Sequence, residues 1–548
     1  MKGSEIKFDG PIKVPVLEKG PEQTMKFLDK INDTVVDIIL LSRDKETPSE
    51  DTISPVTQNS LSSLSSLSSD EDSERFEAAI TGFTKSLNNG IMKRHSDLLV
   101  EDFKEALQQN SRMSMLPNHN ILPTGREHGN YLAIDLGGST LRVALIMIDP
   151  SLACENNFNR IHTLVEKKWL VDNNFKVMDY DFIRWIGAKV SETLNSQTLL
   201  APRNNTINVG VTWSFPLEMV SHNSGKIVHV SKGYEVSPEI FQKDLKMLLE
   251  TVLANDFDIS IDVKAIINDS LAVYAAGTFY DSYTKLAIVL GTGLNLCYSL
   301  PTAEIPPQKS LGKESALYNV ELSLFGQHLL EDFSTKYDLL IDNRFSLVDS
   351  FHFKSYMTTD PISQSIFQPS ELMTSGRYLP ELTRLVLIDM IDAGELFKDI
   401  KNLKRLYEPY DGLTGRMLCY IDENNSFSSI KQILHEEYNW PLEQISVLDI
   451  VKLKDLVNSV IQRAAFIVAT MIVSSIKLIK YHNKNENYDH VMVSSVGSVL
   501  EYFNRYRNLI TEWINKNEDI VDMGLTVEFM HIENSSIVGA AVAAAYYL

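Results

Sequence analysis

Two hexapeptides, LAIDLG at 132–137 and LAIVLG at 286–291, differ at a single position although they lie 154 residues apart. Each is an apolar run that ends in a glycine turn and is followed by a second apolar run, as in YLAIDLGGSTLRVALIM (131–147) and LAIVLGTGLNLCYSL (286–300). Runs of this length, rich in β-branched and aliphatic residues and broken by glycine, read as strand–turn–strand units. A repeat this widely spaced is not a solenoid. It points to two lobes built on one plan, each presenting a glycine turn. Glycine turns that face one another across a cleft suit a ligand with closely spaced phosphates, because backbone N–H groups approach oxygen closely where no Cβ intervenes.

The rest of the chain narrows what surrounds these units. Its 548 residues correspond to three or four domains or to two large lobes. With 51 Lys and Arg against 72 Asp and Glu, the net charge is −21. That argues against a general binder of nucleic acid or anionic membrane, while a local basic pocket still suits a phosphorylated ligand. Cys154, Cys297 and Cys419 are too few and too scattered for a disulfide framework or zinc cluster. The first twenty residues carry no apolar stretch of the secretory kind. The uncharged run Ala464–Ile476 between Arg463 and Lys477 falls short of the ~20 residues of a membrane span and reads as a buried helix. A cytoplasmic or nuclear protein is expected.

Leu28, Ile31, Val35 and Ile38 predict an amphipathic helix over 24–41. The serine-rich, acid-terminated stretch 43–74 has too little apolar content to order. Its serines upstream of Asp70, Glu71 and Asp72 resemble acid-directed phosphorylation sites, though a solvated spacer is the plainer reading. Phe76, Ile80, Phe83 and Leu87 predict a helix, with Asn88-Asn89-Gly90 as its stop. Helical patterns also run over 317–334, 378–398, 451–480 and 535–548, the last headed by serines able to cap it.

Several familiar chemistries lack their motifs. Gly225-Lys226 and Gly312-Lys313 are not phosphate-loop GK[ST] sequences, no GxGxxG follows a strand, and His435-Glu436 has no second histidine. What remains is a set of polar residues at strand ends. In Asp135-Leu136-Gly137-Gly138-Ser139-Thr140 the turn is either a plain hairpin or a phosphate cradle, with Asp135 placed to hold magnesium through water. Gly291-Thr292-Gly293 is open to the same two readings. In VKAIINDSLAVYAAG (263–277), Asp269 or Ser270 either caps a helix or provides a general base at a strand end. Ser214-Phe215-Pro216 ends another apolar strand, and Lys232 follows Ser231 in HVSKGY.

Taken in order, MLPNHNILPTGREHGNYLAIDLGGSTLRVALI, WSFP, SKGY, IINDS, LGTGLN, NVELSLFG, ELMTSGRYLPELTRLVL and VGSV resemble the ATP-dependent hexokinases from about residue 75 to the end. The resemblance implies a two-lobed α/β fold of the actin-like ATPase (ribonuclease H-like) type with sugar and ATP in the cleft. It implies a small lobe over 125–267, a large lobe over 75–124 and 268–532, and a C-terminal helix over 533–548, all after an extension over 1–74. It implies ATP and Mg2+ as cofactors. Asp135, Gly137, Gly138, Ser139, Thr140 and Arg142 correspond to the first phosphate loop, and Gly291, Thr292 and Gly293 to the second. Lys167 corresponds loosely to a nucleotide contact, and Gly497 and Ser498 to the adenosine motif. Ser214, Phe215, Pro216, Ser231, Lys232, Asn268, Asp269, Asn295, Glu321 and Glu371 correspond to sugar-contacting positions, with Asp269 as base and Lys232 beside it in catalysis.

The departures from the family pattern are local. Ser139 and Ser270 stand where threonine is usual, and Val496 stands for an aspartate. Leu217-Glu218 follow Ser-Phe-Pro, and Leu322-Ser323 replace the usual Trp or Tyr and then Gly after the sugar-binding glutamate. WSFPLE, HVSKGY, INDS and NVELSLFG are most similar to the fungal N-acetylglucosamine kinases of this family. The expected function is phosphorylation of the 6-hydroxyl of N-acetylglucosamine. A broad hexokinase or glucokinase is the first rival, and a sugar sensor that regulates a protein partner through the N-terminal extension is the second. Asp135, Lys232 and Asp269 favour catalysis over the sensor.

Overall fold

The computed structural model describes residues 74–109, 113–120, 122–150, 157–172, 175–196, 206–228, 234–347, 367–484 and 486–548. These belong to one unit, Asp70–Leu548. The expected helix over 24–41 and almost all of the serine-rich stretch lie outside the described residues.

Helices α1 (Glu74–Thr84) and α2 (Asn89–Gln108) lead into the edge strand β1 (Leu116–Asn118). The first glycine unit is the hairpin β2 (Gly129–Leu136) and β3 (Thr140–Ile148), followed by β4 (Ile161–Leu170), α3 (Tyr180–Asn195), β5 (Ile207–Trp213), α4 (Leu245–Phe257) and β6 (Ile261–Ile267). Helix α5 (Asp269–Tyr280) then leads to the second unit, β7 (Thr284–Leu290) and β8 (Leu294–Pro301), and to β9 (Ser315–Asn319). Beyond it come α6 (Pro369–Thr374), α7 (Leu379–Asp392), α8 (Val447–His482), β10 (His490–Val496), α9 (Ser498–Tyr502), β11 (Thr526–His531) and α10 (Ser535–Ala545).

The repeat seen in the sequence is a repeat of topology. In the five-stranded sheet, ordered β6-β5-β2-β3-β4, β2 pairs antiparallel with β3 and parallel with β5. In the six-stranded sheet, ordered β1-β9-β8-β7-β10-β11, β7 pairs antiparallel with β8 and parallel with β10. Each hexapeptide is therefore a central strand covered on both sides, which explains its continuous apolar character. Alternation sorts its side chains. Leu132, Ile134 and Leu136 enter the cluster under α3 and α4, whereas Tyr131 and Ala133 face α5 and α10. Asp135 shares the α5/α10 face by parity.

Helix α10 approaches β5 and α5 so closely that glycine is required at two of the contacts. A Cβ on Gly210 of β5 would overlap the backbone of Ala540, and one on Gly539 would overlap the backbone of Ala272 in α5. The capping serines expected for this helix do not cap it. Its N-cap is Asn534, left-handed at φ 51° and without a side-chain cap bond. Asn88, read as a stop, instead opens α2 by accepting from the Ile91 N–H at 3.1 Å. The helical pattern over 317–334 resolves into the end of β9, two 3₁₀ turns and one short helix, because Leu317–Asn319 pair with both β1 and β8.

Helix α8 contains the apolar run Ala464–Ile476. By length and composition it is long and apolar enough to cross a membrane, but 89% of its most apolar window is buried inside the protein. It is the central core helix. Arg463 within it is fully buried, and its guanidinium donates to Asp338 at 2.8 and 3.0 Å and to the Phe333 carbonyl at 2.7 Å. Asp338 also accepts from Thr335 N–H and hydroxyl at 2.7 Å. Removing one member of such a pair leaves a buried charge alone. Asp338→Ala is expected to cost about 3–5 kcal/mol in denaturant unfolding; a loss under ~1 kcal/mol would show that α8 tolerates the uncompensated arginine.

Candidate functional site

Strand β2 delivers Asp135 to its end, with the residue 6% exposed. Across the hairpin Arg142, its register partner, donates from Nε and Nη2 to Oδ2 at 2.9 and 2.7 Å. The third guanidinium nitrogen donates to Asn534 Oδ1 at 3.1 Å. Burial raises the Asp135 pKa, Arg142 opposes that rise, and the carboxylates of Asp269 and Glu166 add to it. Beyond Asp135 the turn is tight, with Gly137 N–H bonded to the Thr140 carbonyl at 2.9 Å and Ser139 exposed at its tip.

Asp269 opens α5 directly after β6. The cap of this helix is neither Asp269 nor Ser270. Asn268, in extended conformation, accepts from the Leu271 N–H at 2.9 Å. Among the described residues the Asp269 carboxylate accepts from the adjacent Ser270 N–H at 2.8 Å; it stays half-buried, near enough to Asp135 to oppose its ionisation.

From Asn268 a polar network runs into the six-stranded sheet. Ser270 Oγ lies 3.3 Å from both Asn268 Oδ1 and Asn319 Oδ1. Asn295 Nδ2 donates to the same Asn319 oxygen at 2.8 Å, and Asn319 Nδ2 donates to Glu321 Oε1 at 2.7 Å. Asn295 Oδ1 accepts from Leu296 N–H at 2.7 Å and Leu322 N–H at 3.3 Å. Glu321 itself sits at φ 54°, a left-handed conformation that a non-glycine residue holds only where its surroundings impose it. Glu371 accepts from Leu294 N–H at 3.0 Å, and a Cβ on Gly293 would press into its carboxylate. Asn268, Asp269, Asn295, Glu321 and Glu371 are thus brought together. Asn319, which bonds Asn295 and Glu321 directly and reaches Asn268 through Ser270, is marked by no feature of the sequence. Its pairing position opposite Cys297 is visible only in the sheet.

The second glycine turn is packed against the β10–α9 junction. Gly291 N–H bonds the Gly293 carbonyl at 3.0 Å, and the Gly291 carbonyl accepts from Gly376 N–H at 2.7 Å. Gly497 has φ 117°, and a Cβ there would overlap the Leu290 carbonyl. A Cβ on Gly291 would come within 3.2 Å of the Ser498 nitrogen. Val496 is the register partner of Val289, so the strand-end acid of the first turn has no counterpart at the second.

Other expected residues are placed differently. Ser214 follows β5, its N–H bonded to the Leu136 carbonyl at 3.1 Å beside the first turn. Phe215 is 5% exposed and packs edge-on to Tyr234 and Trp213, which makes it a core support of the strand end, whereas Pro216 is exposed. Lys167 pairs with Val143 rather than Arg142, so parity turns it to the α3 face, where its ammonium lies 3.4 Å from Glu192. That face is opposite Asp135. Ser231 and Lys232 lie outside the described residues.

No group of three or more His, Cys, Asp or Glu among the described residues is arranged to hold a metal ion. The two arginine bonds to Asp135 use Oδ2, and its Oδ1 has the hard oxygen-donor chemistry that suits a hydrated cation held mostly by phosphates. A cavity of about 940 Å³ lies against Tyr274, Thr278 and Lys285 at the far end of α5 and contains none of these groups.

Family models described as hexokinase match residues 83–279 and 285–546. N-acetylglucosamine kinase 1 of Candida albicans is 47% identical over 480 residues, which cover 87% of this chain and 95% of that protein. Hexokinase-1 of Saccharomyces cerevisiae is 27% identical over 350 residues, covering 62% of this chain and 63% of that one. Among solved structures, a hexokinase from Schistosoma mansoni complexed with glucose superimposes with TM-score 0.68 at 20% identity, over 87% of this chain and 99% of that one. At that identity the likeness speaks to the fold, which is the two-lobed actin-like ATPase type.

Proposed function

The chain belongs to the hexokinase family, and we propose that it transfers the γ-phosphoryl group of ATP to the 6-hydroxyl of N-acetylglucosamine. The observation that carries the substrate is the 47% identity across nearly all of an N-acetylglucosamine kinase, against 27% over part of a hexokinase. The rival reading of a broad hexokinase has no comparable support. A sensor without activity is disfavoured because Asp135 and Asp269 both keep their strand-end positions.

In this reading Asn268, Asn295, Glu321 and Glu371, with Ser214 at the neighbouring strand end, bond the sugar hydroxyls. Carboxylates accept and amides both accept and donate, which matches a ring of vicinal hydroxyls. Ser231 and Lys232 complete the set on the family pattern. Asp269 accepts the proton of the 6-hydroxyl as that oxygen attacks phosphorus. The carboxylate suits this because Asn268 caps α5 and Asp269 bonds there through one oxygen, Oδ1, to the Ser270 N–H. With the Gly137 and Gly291 N–H groups closing the two turns, the N–H groups at their tips, Gly138–Ser139 and Thr292–Gly293, face the phosphates, and Gly497 and Ser498 border the adenosine. Bound Mg2+ supplies charge neutralisation on the transferring phosphates, with Asp135 holding its water shell and Arg142 fixing the Asp135 rotamer. The boundary between the small and large lobes falls at 267/268, between β6 and α5. Closure around sugar would exclude water and limit idle hydrolysis of ATP.

The product distinguishes this reading from a sensor without activity and from transfer to a ring hydroxyl. Phosphorus on a CH₂–O group couples to two protons. Proton-coupled ³¹P spectra of the product from ATP, Mg2+ and N-acetylglucosamine are therefore expected to show a triplet. A doublet, which marks a ring CH–O phosphate, or no sugar phosphate at all, would overturn the proposal.

A further inference from the structure

We infer that Ser323 is a positioning residue that sets the Gln368 amide to receive the acetamide group of the sugar; this rests on the N-acetylglucosamine reading above. Ser323 lies in the 3₁₀ turn Leu322–Leu324, two residues beyond Glu321, and is 1% exposed. Its hydroxyl accepts from Gln368 Nε2 at 2.8 Å. Gln368 is half-buried at the start of α6, three residues before Glu371.

Both ends of this bond are tied to the sugar-facing network. Leu322, next to Ser323, donates its N–H to Asn295 at 3.3 Å. Glu371, one helical turn after Gln368, accepts from Leu294 beside the second glycine turn at 3.0 Å. Ser370 Oγ also donates to the Phe325 carbonyl, so the turn after Glu321 and the start of α6 are stitched twice. The Gln368 amide therefore ties the turn that follows Glu321 to the start of the helix that carries Glu371.

Its chemistry differs from theirs. Glu321 and Glu371, when ionised, only accept, and the Asn319 and Asn295 amides each have their oxygen and one N–H committed within the network. An acetamide presents one N–H and one carbonyl side by side. A glutamine held through one N–H still has a second N–H and its own carbonyl to meet them. The glycine usual at position 323 in resembling sequences has no hydroxyl, so this orientation belongs to chains with a side-chain acceptor there. Without it the amide rotates, and one amide face no longer waits in the matching plane.

The test compares two sugars in Ser323 and Gln368 variants of the full-length enzyme, with melting curves as a check on folding. Ser323→Ala is expected to raise KM for N-acetylglucosamine about 10-fold, with kcat within ~2-fold and KM for glucose and ATP unchanged. Ser323→Thr, which keeps the hydroxyl, is expected to retain wild-type selectivity. Adding Ser323→Ala to Gln368→Ala is expected to change nothing further, because the serine acts through the glutamine. Equal losses for both sugars, no loss for either, or additive effects in the double variant would overturn the inference while leaving the enzyme's assignment intact. Absence of N-acetylglucosamine turnover in the wild type would overturn both.

Discussion

Asp269→Asn is expected to lower kcat about 10²–10⁴-fold while sugar affinity stays within a few-fold of wild type. The size of the loss follows from the role of a general base, since an amide cannot take a proton from an attacking hydroxyl. The retained binding follows from the geometry. An asparagine Oδ1 still accepts from the Ser270 N–H, now 2.8 Å away, and Asn268 continues to cap α5 through Leu271. The substitution also removes a negative charge that raises the Asp135 pKa, so Asp135 is expected to ionise at least as readily as before. A fall in turnover would therefore report the missing base and not a protonated Asp135. Sugar binding followed by intrinsic fluorescence, alongside ADP release, separates the two quantities. Turnover within a few-fold of wild type would remove Asp269 from the chemistry.

Gly497→Ala is expected to cost about 10²-fold in kcat/KM for ATP while sugar binding changes little. At φ 117° an L-residue is strained whatever the space around it, and here the new Cβ would also overlap the Leu290 carbonyl. Relief requires β10 and β7 to separate at the point where Val496 pairs with Val289. The glycine turn at Gly291–Gly293 begins at the next residue, so it moves with Leu290. Strain of this kind amounts to roughly 1–3 kcal/mol, enough to misplace the turn without unfolding a sheet pairing on both sides. Steady-state kinetics with ATP varied at saturating sugar would show the effect as a raised KM. An unchanged KM for ATP would mean that the turn does not face the nucleotide.

The strand ends were the legible part of this protein. Asp135, Asp269 and the paired glycine turns stand out because a buried strand admits polar and flexible residues only where it stops. The resemblance to hexokinases drawn from those blocks is borne out by the matches over 83–279 and 285–546. Properties that depend on pairing between distant segments were not legible. Tyr318, Leu322, Phe325, Leu329 and Phe333 have helical spacing, yet Tyr318 is pinned in a strand by neighbours on both sides. Lys167 was one residue out of phase for the Asp135 face, which only the β3–β4 register decides. Phe215 shares a block with Ser214 but is drawn inward by Trp213 and Tyr234. Asn534 gave no sequence signal. Its role follows from Arg142 reaching it across 392 residues, with the helix it precedes left without a side-chain cap.

The substitutions at Leu217-Glu218 and Leu322-Ser323 flank Ser214 and Glu321, and they are where selectivity for the 2-substituent should originate. A subsite enlarged for an acetamide still admits glucose, which leaves apolar volume unfilled at a cost of ~1–3 kcal/mol. The direct measurement is kcat/KM for N-acetylglucosamine and for glucose, side by side in one coupled ADP-release assay at saturating ATP and Mg2+. The account predicts a higher value for N-acetylglucosamine, with glucose a poor secondary substrate. Efficient phosphorylation of glucose with none of N-acetylglucosamine would contradict it.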